Sequence, residues 1–225
     1  IIDENCNIPD YTSMPMPDLV GITAFTSQAN RAYKIASKFR NRGVPVVMGG
    51  IHATMCSEET IKKVDAVVKG EGESVWAQIL EDVQHKSLKQ IYTGSFTKMD
   101  NIPLPRHDLL SNSYYFGSIQ TTRGCPLNCH FCSVSTFNGM TYRYRPIEKI
   151  IQELKLIKEK YILIVDDNLI GINKKHIERA KNLFRAIIKS NIRKKWIGQV
   201  TINFADDDEL LKLAAKSGCT GVYIG

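Results

Sequence analysis

The sequence predicts an α/β chain, a truncated doubly wound parallel sheet followed by a partial (β/α) barrel, and three observations carry that reading. Short apolar runs of strand length alternate with amphipathic stretches of helix length from residue 18 to about residue 84. That alternation is the pattern of βαβ units with right-handed crossovers. An irregular stretch punctuated by Pro103 and Pro105 then interrupts it, since the residue before a proline is pushed toward extended backbone. From Phe116 the alternation restarts and gives four further βα-type units. The division expected is therefore 1–97, a linker over 98–113, and 114–225.

In the first half, residues 18–25 form an apolar run suited to a buried parallel strand. A helix is predicted over about 28–42, with Ala29, Ala32, Tyr33, Ala36 and Phe39 on one face and Gly43 ending it. Residues 44–48 are the next strand, with Pro45 near its start, where a missing donor is tolerated. Gly49-Gly50-Ile51-His52-Ala53-Thr54 reads as a turn, and a short helix over 58–63 leads to a strand at 65–69. Gly70-Glu71-Gly72-Glu73 opens a helix over about 74–84. Ligands of doubly wound sheets sit outside the carboxyl ends of the strands, here residues 23–26, 49–54 and 70–73. Glycines there let a flat or bulky ligand approach the backbone, although the same glycines also suit ordinary tight turns.

The second half starts with a strand over 116–122, followed across Arg123-Gly124 by Cys125-Pro126-Leu127-Asn128-Cys129-His130-Phe131-Cys132. Pro146 begins a helix at a position where its absent N–H costs little, and Ile147, Ile150, Ile151, Leu154 and Ile157 form its apolar stripe. Residues 161–165 are a strand ending in Asp166-Asp167-Asn168. A long helix over about 174–190 is buried through Ile177, Ala180, Phe184, Ile187 and Ile188. Residues 196–202 are the third strand. Asp206-Asp207-Asp208 favours a helix start through the macrodipole, Gly218 ends that helix, and residues 219–224 are the fourth strand.

At 225 residues and 43% hydrophobic content the chain can bury one large core or two small ones. The net charge of +7 permits an anionic partner, but the lysines are spread over helix-like stretches as solvated surface. Nucleic-acid binding wants a basic face with stacking aromatics, and only Tyr142-Arg143-Tyr144-Arg145 offers one, so no nucleic-acid partner is expected. No segment approaches the roughly 20 apolar residues of a membrane span. Six cysteines, three of them clustered, suit a reducing, cytoplasmic setting; Cys6, Cys56 and Cys219 are scattered and read as apolar filler. Ile1-Ile2-Asp3 resembles the exit from one strand and Val222-Tyr223-Ile224-Gly225 the end of another. A piece of a longer protein is expected.

The chemistry gathers at Cys125, Cys129 and Cys132. Three thiols at spacings of four and three can converge on one compact inorganic centre. A [4Fe–4S] cluster is ordinarily held by four thiolates, so three would leave one iron open. Two other readings compete. Structural zinc needs a fourth Cys or His, for which only His130 is at hand, and a disulfide needs an oxidising compartment.

Spacing, Phe131 just before the last cysteine, and position at a strand end together resemble the radical S-adenosylmethionine (SAM) enzymes. Gly-Gly-x-His-Ala-Thr followed by Gly-Glu-Gly-Glu ahead of the cysteines resembles the cobalamin-dependent members of that family, over residues 18–225. The resemblance implies a [4Fe–4S] cluster on Cys125, Cys129 and Cys132. It implies cobalamin lying against Thr23, Phe25 and Thr26, against Gly49, Gly50 and His52, and against Gly70, Glu71, Gly72 and Glu73. It further implies SAM held by Phe131 at the adenine, by Asp166, Asp167 and Asn168 at the methionine amine, and by Gln199 and Asn203 at the ribose. Arg143 or Arg145 would pair with the methionine carboxylate. A solvated basic loop competes for the arginines, and a helix cap or Asx turn competes for the Asp-Asp-Asn run. Arg106-His107-Asp108 reads either as solvated linker or as a cofactor contact. The D-x-H-x-x-G motif that supplies a lower axial histidine is absent, and its usual position falls before Ile1. His52 is expected to be a loop or nucleotide-tail contact.

The activity implied is methylation of an unactivated carbon through a 5′-deoxyadenosyl radical, with an electron donor such as flavodoxin or ferredoxin. Arg143-x-Arg145-Pro146 and Pro103-x-Pro105-Arg106 resemble members acting on hopanoid or other lipid-like substrates. Radical ring formation or rearrangement, and a binding module without catalysis, are the competing readings.

Overall fold

Two units of chain make up the structure, a computed structural model that describes residues 1–110 and 114–225. One unit is Ile8–Thr97; the other joins Ile1–Asn7 to Lys98–Gly225. Residues 111–113, the end of the expected 98–113 linker, lie outside the described residues. Residues 98–110 belong with the second unit, and so do the first seven residues.

In the Ile8–Thr97 unit, β1 (Val20–Thr23), β2 (Val46–Gly49), β3 (Ala66–Lys69) and β4 (Ile91–Thr93) form a parallel sheet in the order β1-β2-β3-β4. Helices α1 (Ala29–Arg40), α2 (Gly50–Met55), α3 (Ser57–Thr60) and α4 (Trp76–Gln84) cover both faces. Val46, Met48 and Val67 pack with Ala32, Ala36, Phe39 and Ala53 on one side. Val47, Ala66 and Val68 pack with Ile79 and Tyr92 on the other. Burial on both faces explains why β2 and β3 read as unbroken apolar runs rather than alternating ones. Removing a side chain such as Met48 or Phe39 from water contributes about 1.5–3 kcal/mol each. The segment from Gly50 is helix α2 where a turn was predicted, and β4 is a strand the sequence did not signal.

In the second unit, β5 (Phe116–Ile119), β8 (Tyr161–Ile164), β9 (Lys195–Val200) and β10 (Cys219–Ile224) are parallel in the order β10-β9-β8-β5. An antiparallel ribbon of β6 (Thr122–Arg123) and β7 (Arg143–Tyr144) follows β5 and encloses the short helix α5 (Val134–Asn138). Helices α6 (Ile147–Leu156), α7 (Lys174–Lys189) and α8 (Asp208–Lys216) cover one face. Ile119, Ile162, Ile164, Trp196 and Val200 point into that layer against Ile150, Leu154, Leu183, Phe184 and Leu210. Phe116, Val165, Gln199 and Tyr223 remain exposed on the opposite face, the inside of an open barrel. Asn173 caps α7, accepting from the His176 amide at 2.9 Å, and Asp207 caps α8, accepting from the Leu210 amide at 2.9 Å. Among the described residues no helix is long and apolar enough to cross a membrane.

Candidate functional site

The cysteine loop leaves the ribbon at Gly124, where φ is +88° and an added Cβ would lie 2.5 Å from the Thr141 carbonyl oxygen. Only glycine lets the two sides of the ribbon approach so closely. Its amide donates to Asp167 Oδ2 at 3.1 Å, and the Asn138 side chain donates to the same oxygen at 2.9 Å. Tyr142 donates its hydroxyl to the Leu169 carbonyl at 2.6 Å. Both ends of the loop are thereby fixed to the end of β8. Between them Cys125 and Cys132 are half-buried, and Cys129 is exposed. The Cys132 amide donates to the Cys129 carbonyl at 3.0 Å, and Phe131 is 93% exposed. Burial pushes the Cys125 thiol up in pKa, against hydrogen bonds from the Leu127 backbone and the Asn168 side chain. Among the described residues no three His, Cys, Asp or Glu side chains are grouped as a metal site. The thiols share one anchored loop without converging on one point.

The Asp166-Asp167-Asn168 run divides by burial. Asp166 is fully buried, accepting from the Thr121 amide and hydroxyl at 2.5 Å each. It faces Thr121 and Arg179, so the expected contact to a methionine amine is corrected here for this residue. Burial raises its pKa against the pull of Arg179. Asn168 is 1% exposed and is likewise not presented to a ligand from solvent. Asp167 is half-buried, beside the cysteine loop, and is the member of the run whose carboxylate a ligand amine can reach.

Arg143 lies on β7 and donates to the Asn138 carbonyl at 3.3 Å. Arg145 is 3% exposed and paired with Glu153 at 2.5 Å, which removes it as a partner for a methionine carboxylate. Gln199 is exposed at the end of β9 on the inner face. Asn203 is half-buried: it accepts from the Thr201 hydroxyl and its Nδ2 donates to the Gly171 carbonyl at 3.5 Å. Arg106 and Asp108 pair with each other at the surface, whereas His107 reaches Glu153 at 3.1 Å.

At the carboxyl edge of the first sheet, Thr23 is in register with Gly49. Thr23, Phe25, Thr26 and Glu73 are exposed, and Gly49, Gly50, Gly70 and Gly72 are half-buried. A Cβ at Gly49 or Gly72 would meet nothing closer than Val68, at 3.7 and 3.9 Å, so the backbone there is bare. Glu71 is turned in, accepting from the Thr97 amide at 2.6 Å. His52 is corrected most: it sits in α2, 2% exposed, with Nε2 2.7 Å from the Tyr33 hydroxyl and Nδ1 3.3 Å from the Thr26 hydroxyl. With both ring nitrogens engaged it neither forms a loop contact nor offers a free lone pair to cobalt.

Sequence reasoning passed over Thr121, Arg179, Glu153 and Asn138. Two of these had a signal. Glu153 falls in the Ile150–Leu154–Ile157 stripe of α6, and Arg179 in the core-facing stripe of α7. A lone charge at such a position requires a buried partner.

These residues fit the two implied groups in donor chemistry. Three soft sulfur donors lie within one loop, and thiolates suit an iron–sulfur centre. The glycine-lined edge suits a broad planar ligand.

Residues 14–80 match the B12 binding domain family and residues 119–225 the Radical SAM superfamily. An uncharacterized methyltransferase of Pyrococcus horikoshii is 34% identical over 240 residues, covering 93% of this chain and 51% of that protein. Bacteriochlorophyllide d C-12(1)-methyltransferase of Chlorobaculum tepidum is 31% identical over 221 residues, covering 92% and 47%. The chain thus spans about half the length of the curated relatives it matches. The solved radical SAM methyltransferase TsrM of Kitasatospora setae, with cobalamin and a [4Fe-4S] cluster bound, superimposes with a TM-score of 0.77 at 19% identity, covering 96% of this chain and 51% of that one. The fold is therefore a B12 domain followed by a partial radical SAM barrel, and the chain belongs to the cobalamin-binding branch of the radical SAM superfamily.

Proposed function

We propose that this chain is the cofactor-binding portion of a cobalamin-dependent radical SAM methyltransferase that methylates an unactivated carbon of a small-molecule substrate. The observation that carries the reading is the pairing, in one chain, of a three-thiol loop anchored to a barrel strand end with a glycine-lined sheet edge. When bound, the cluster and corrinoid supply one-electron reduction and a transferable methyl group. The protein's own part is placement. Cys125, Cys129 and Cys132 would hold the cluster through their thiolates. Asp167 is set to take the ammonium of SAM, a charge-assisted bond of about 1.5–3 kcal/mol. Gln199 and Asn203 would offer amides to the ribose, Phe131 a face to the adenine, and Arg143 a cation to the carboxylate. Bare backbone at Gly49 and Gly72 would allow the corrinoid face to lie close, with Gly50, Gly70, Thr23, Phe25, Thr26 and Glu73 around it. An exposed Cys129 calls for a reducing, cytoplasmic setting and an external one-electron donor of the flavodoxin or ferredoxin type.

The test is anaerobic reconstitution of the full-length protein with iron, sulfide and cobalamin. Formation of both 5′-deoxyadenosine and S-adenosylhomocysteine is expected. Deoxyadenosine alone overturns methyl transfer, and neither product overturns the enzyme. Cys125→Ala should lose the brown chromophore and most of the bound iron.

A further inference from the structure

Thr26, exposed at the carboxyl edge of the first sheet, is linked through a buried histidine and a tyrosine to the exposed Glu59. Its hydroxyl lies 3.3 Å from Nδ1 of His52, which is 2% exposed. The other ring nitrogen, Nε2, lies 2.7 Å from the Tyr33 hydroxyl. That hydroxyl lies 3.1 Å from Glu59 Oε1 and 3.2 Å from Thr60 Oγ1. Counting protons gives the chain a direction. A carboxylate only accepts. Thr60 donates its own hydroxyl to the Cys56 carbonyl at 2.9 Å, so it too offers Tyr33 only lone pairs. Tyr33 has a single proton. Given to His52, it would leave both Glu59 and Thr60 as acceptors facing another acceptor. Given to Glu59, it leaves one such mismatch, and the Tyr33 oxygen accepts from Nε2–H. Unmet buried polar groups are costly, so the second arrangement holds. In a neutral imidazole one nitrogen donates and the other accepts. Nδ1 therefore keeps its lone pair and takes the hydroxyl proton of Thr26, whose oxygen is left with lone pairs alone.

Resting on the reading of this edge as a corrinoid site, we infer that Thr26 accepts a hydrogen bond from a ligand N–H, and that His52 and Tyr33 are positioning residues that hold its hydroxyl in that state. The rim of a corrin carries primary carboxamides, whose N–H groups are the donors such an oxygen selects; a rim carboxylate offers none. His52 thus takes part in recognition without touching the ligand.

The experiment joins nitrogen-15 NMR of the histidine side chains, in the chain without cofactor, to optical titration with hydroxocobalamin, thermal melting being measured alongside. His52, assigned by the signal lost in His52→Gln, should be the Nε2–H tautomer. An Nδ1–H tautomer, or a ring protonated at both nitrogens, leaves Thr26 its proton and overturns the inference. Thr26→Val should bind hydroxocobalamin about fivefold more weakly, the loss of one hydrogen bond, and Thr26→Ser should bind as the wild type does. Tyr33→Phe removes the oxygen that Nε2–H needs. It should shift the ring toward Nδ1–H and weaken binding to a similar extent, with no further loss in the Thr26→Val, Tyr33→Phe double variant. Additive losses, or an unmoved tautomer in Tyr33→Phe, overturn the link between Tyr33 and Thr26. Should Thr26→Val fail to fold, the wild-type tautomer and the affinity of Tyr33→Phe decide. A wild-type chain that binds no hydroxocobalamin overturns the corrinoid reading as well, whereas wild-type affinity in Thr26→Val overturns only the role of Thr26.

Discussion

Arg179 and Thr121 are joined twice, the guanidinium donating to the Thr121 hydroxyl at 3.1 Å and to its carbonyl at 3.0 Å. The same hydroxyl donates to Asp166 at 2.5 Å, so one threonine links a buried cation to a buried anion. This link stands between β5 and β6, where the chain turns into the cysteine loop.

Breaking one side of such a pair leaves the other charge buried and uncompensated, which costs about 3–5 kcal/mol. Asp166→Asn and Arg179→Met should each destabilise the barrel unit by that amount in urea unfolding. The double variant should cost clearly less than the sum, since neither charge is then stranded. Additive losses would mean the two groups do not interact.

A second buried pair ties down residues that the sequence assigned to a linker. Glu153 on α6 takes Arg145 at 2.5 Å and His107 at 3.1 Å, while Arg145 also donates to the Gln120 carbonyl at 2.9 Å. Glu153→Gln should cost about 3–5 kcal/mol by stranding Arg145. His107→Ala removes one hydrogen bond, about 1 kcal/mol, and should speed amide exchange in residues 98–110. Exchange unchanged there would show that His107 does not hold the segment.

Acid sensitivity follows from Asp207. The hydrogen bond from Lys181, at 2.8 Å, and then the Leu210 amide hold its carboxyl below the usual 3.8. A depressed folded pKa means the folded state favours the charged carboxylate. Its contribution is complete above pH 3.8 and is lost as pH falls through the lower folded value. Melting temperature should fall along that limb. Asp207→Asn keeps a cap and should flatten it, whereas Asp207→Ala should also lose about 1 kcal/mol at neutral pH. A limb of equal slope in Asp207→Asn would assign the acid loss elsewhere.

The periodic parts of the fold were legible because they obey one physical rule each. Unbroken apolar runs marked β1, β2, β3 and β8, and the stripe from Ile147 to Ile157 marked α6. The cysteine loop was legible from spacing together with Phe131 and its place after a strand, and Asp206-Asp207-Asp208 announced the start of α8. Strand β4 was missed because only Tyr92 of its three residues is buried, so no alternation is long enough to see. The ribbon of β6 and β7 was missed because it has two residues per strand and is closed by a left-handed Gly124. Side-chain orientation was not legible: residues 166, 167 and 168 are neighbours of similar polarity, yet only the middle one reaches outward. His52 followed the same course, its loop becoming a helix that carries the ring inward to Tyr33.

Gly50 provides a test of the corrinoid edge with an internal control. Its φ is +87°, and a Cβ there would lie 2.5 Å from the Thr23 hydroxyl oxygen, at the edge where cobalamin is proposed to lie. Gly43 has a similar φ of +77°, but a Cβ there would meet nothing within 4 Å. It follows α1 and precedes β2, away from that edge. Both alanine variants incur the left-handed penalty of about 1–2 kcal/mol. Gly50→Ala adds displacement of Thr23, so it should melt lower than Gly43→Ala and bind hydroxocobalamin more weakly, while Gly43→Ala binds as the unmodified chain does. Equal cobalamin affinity in the two variants would remove Gly50 and Thr23 from the corrinoid site.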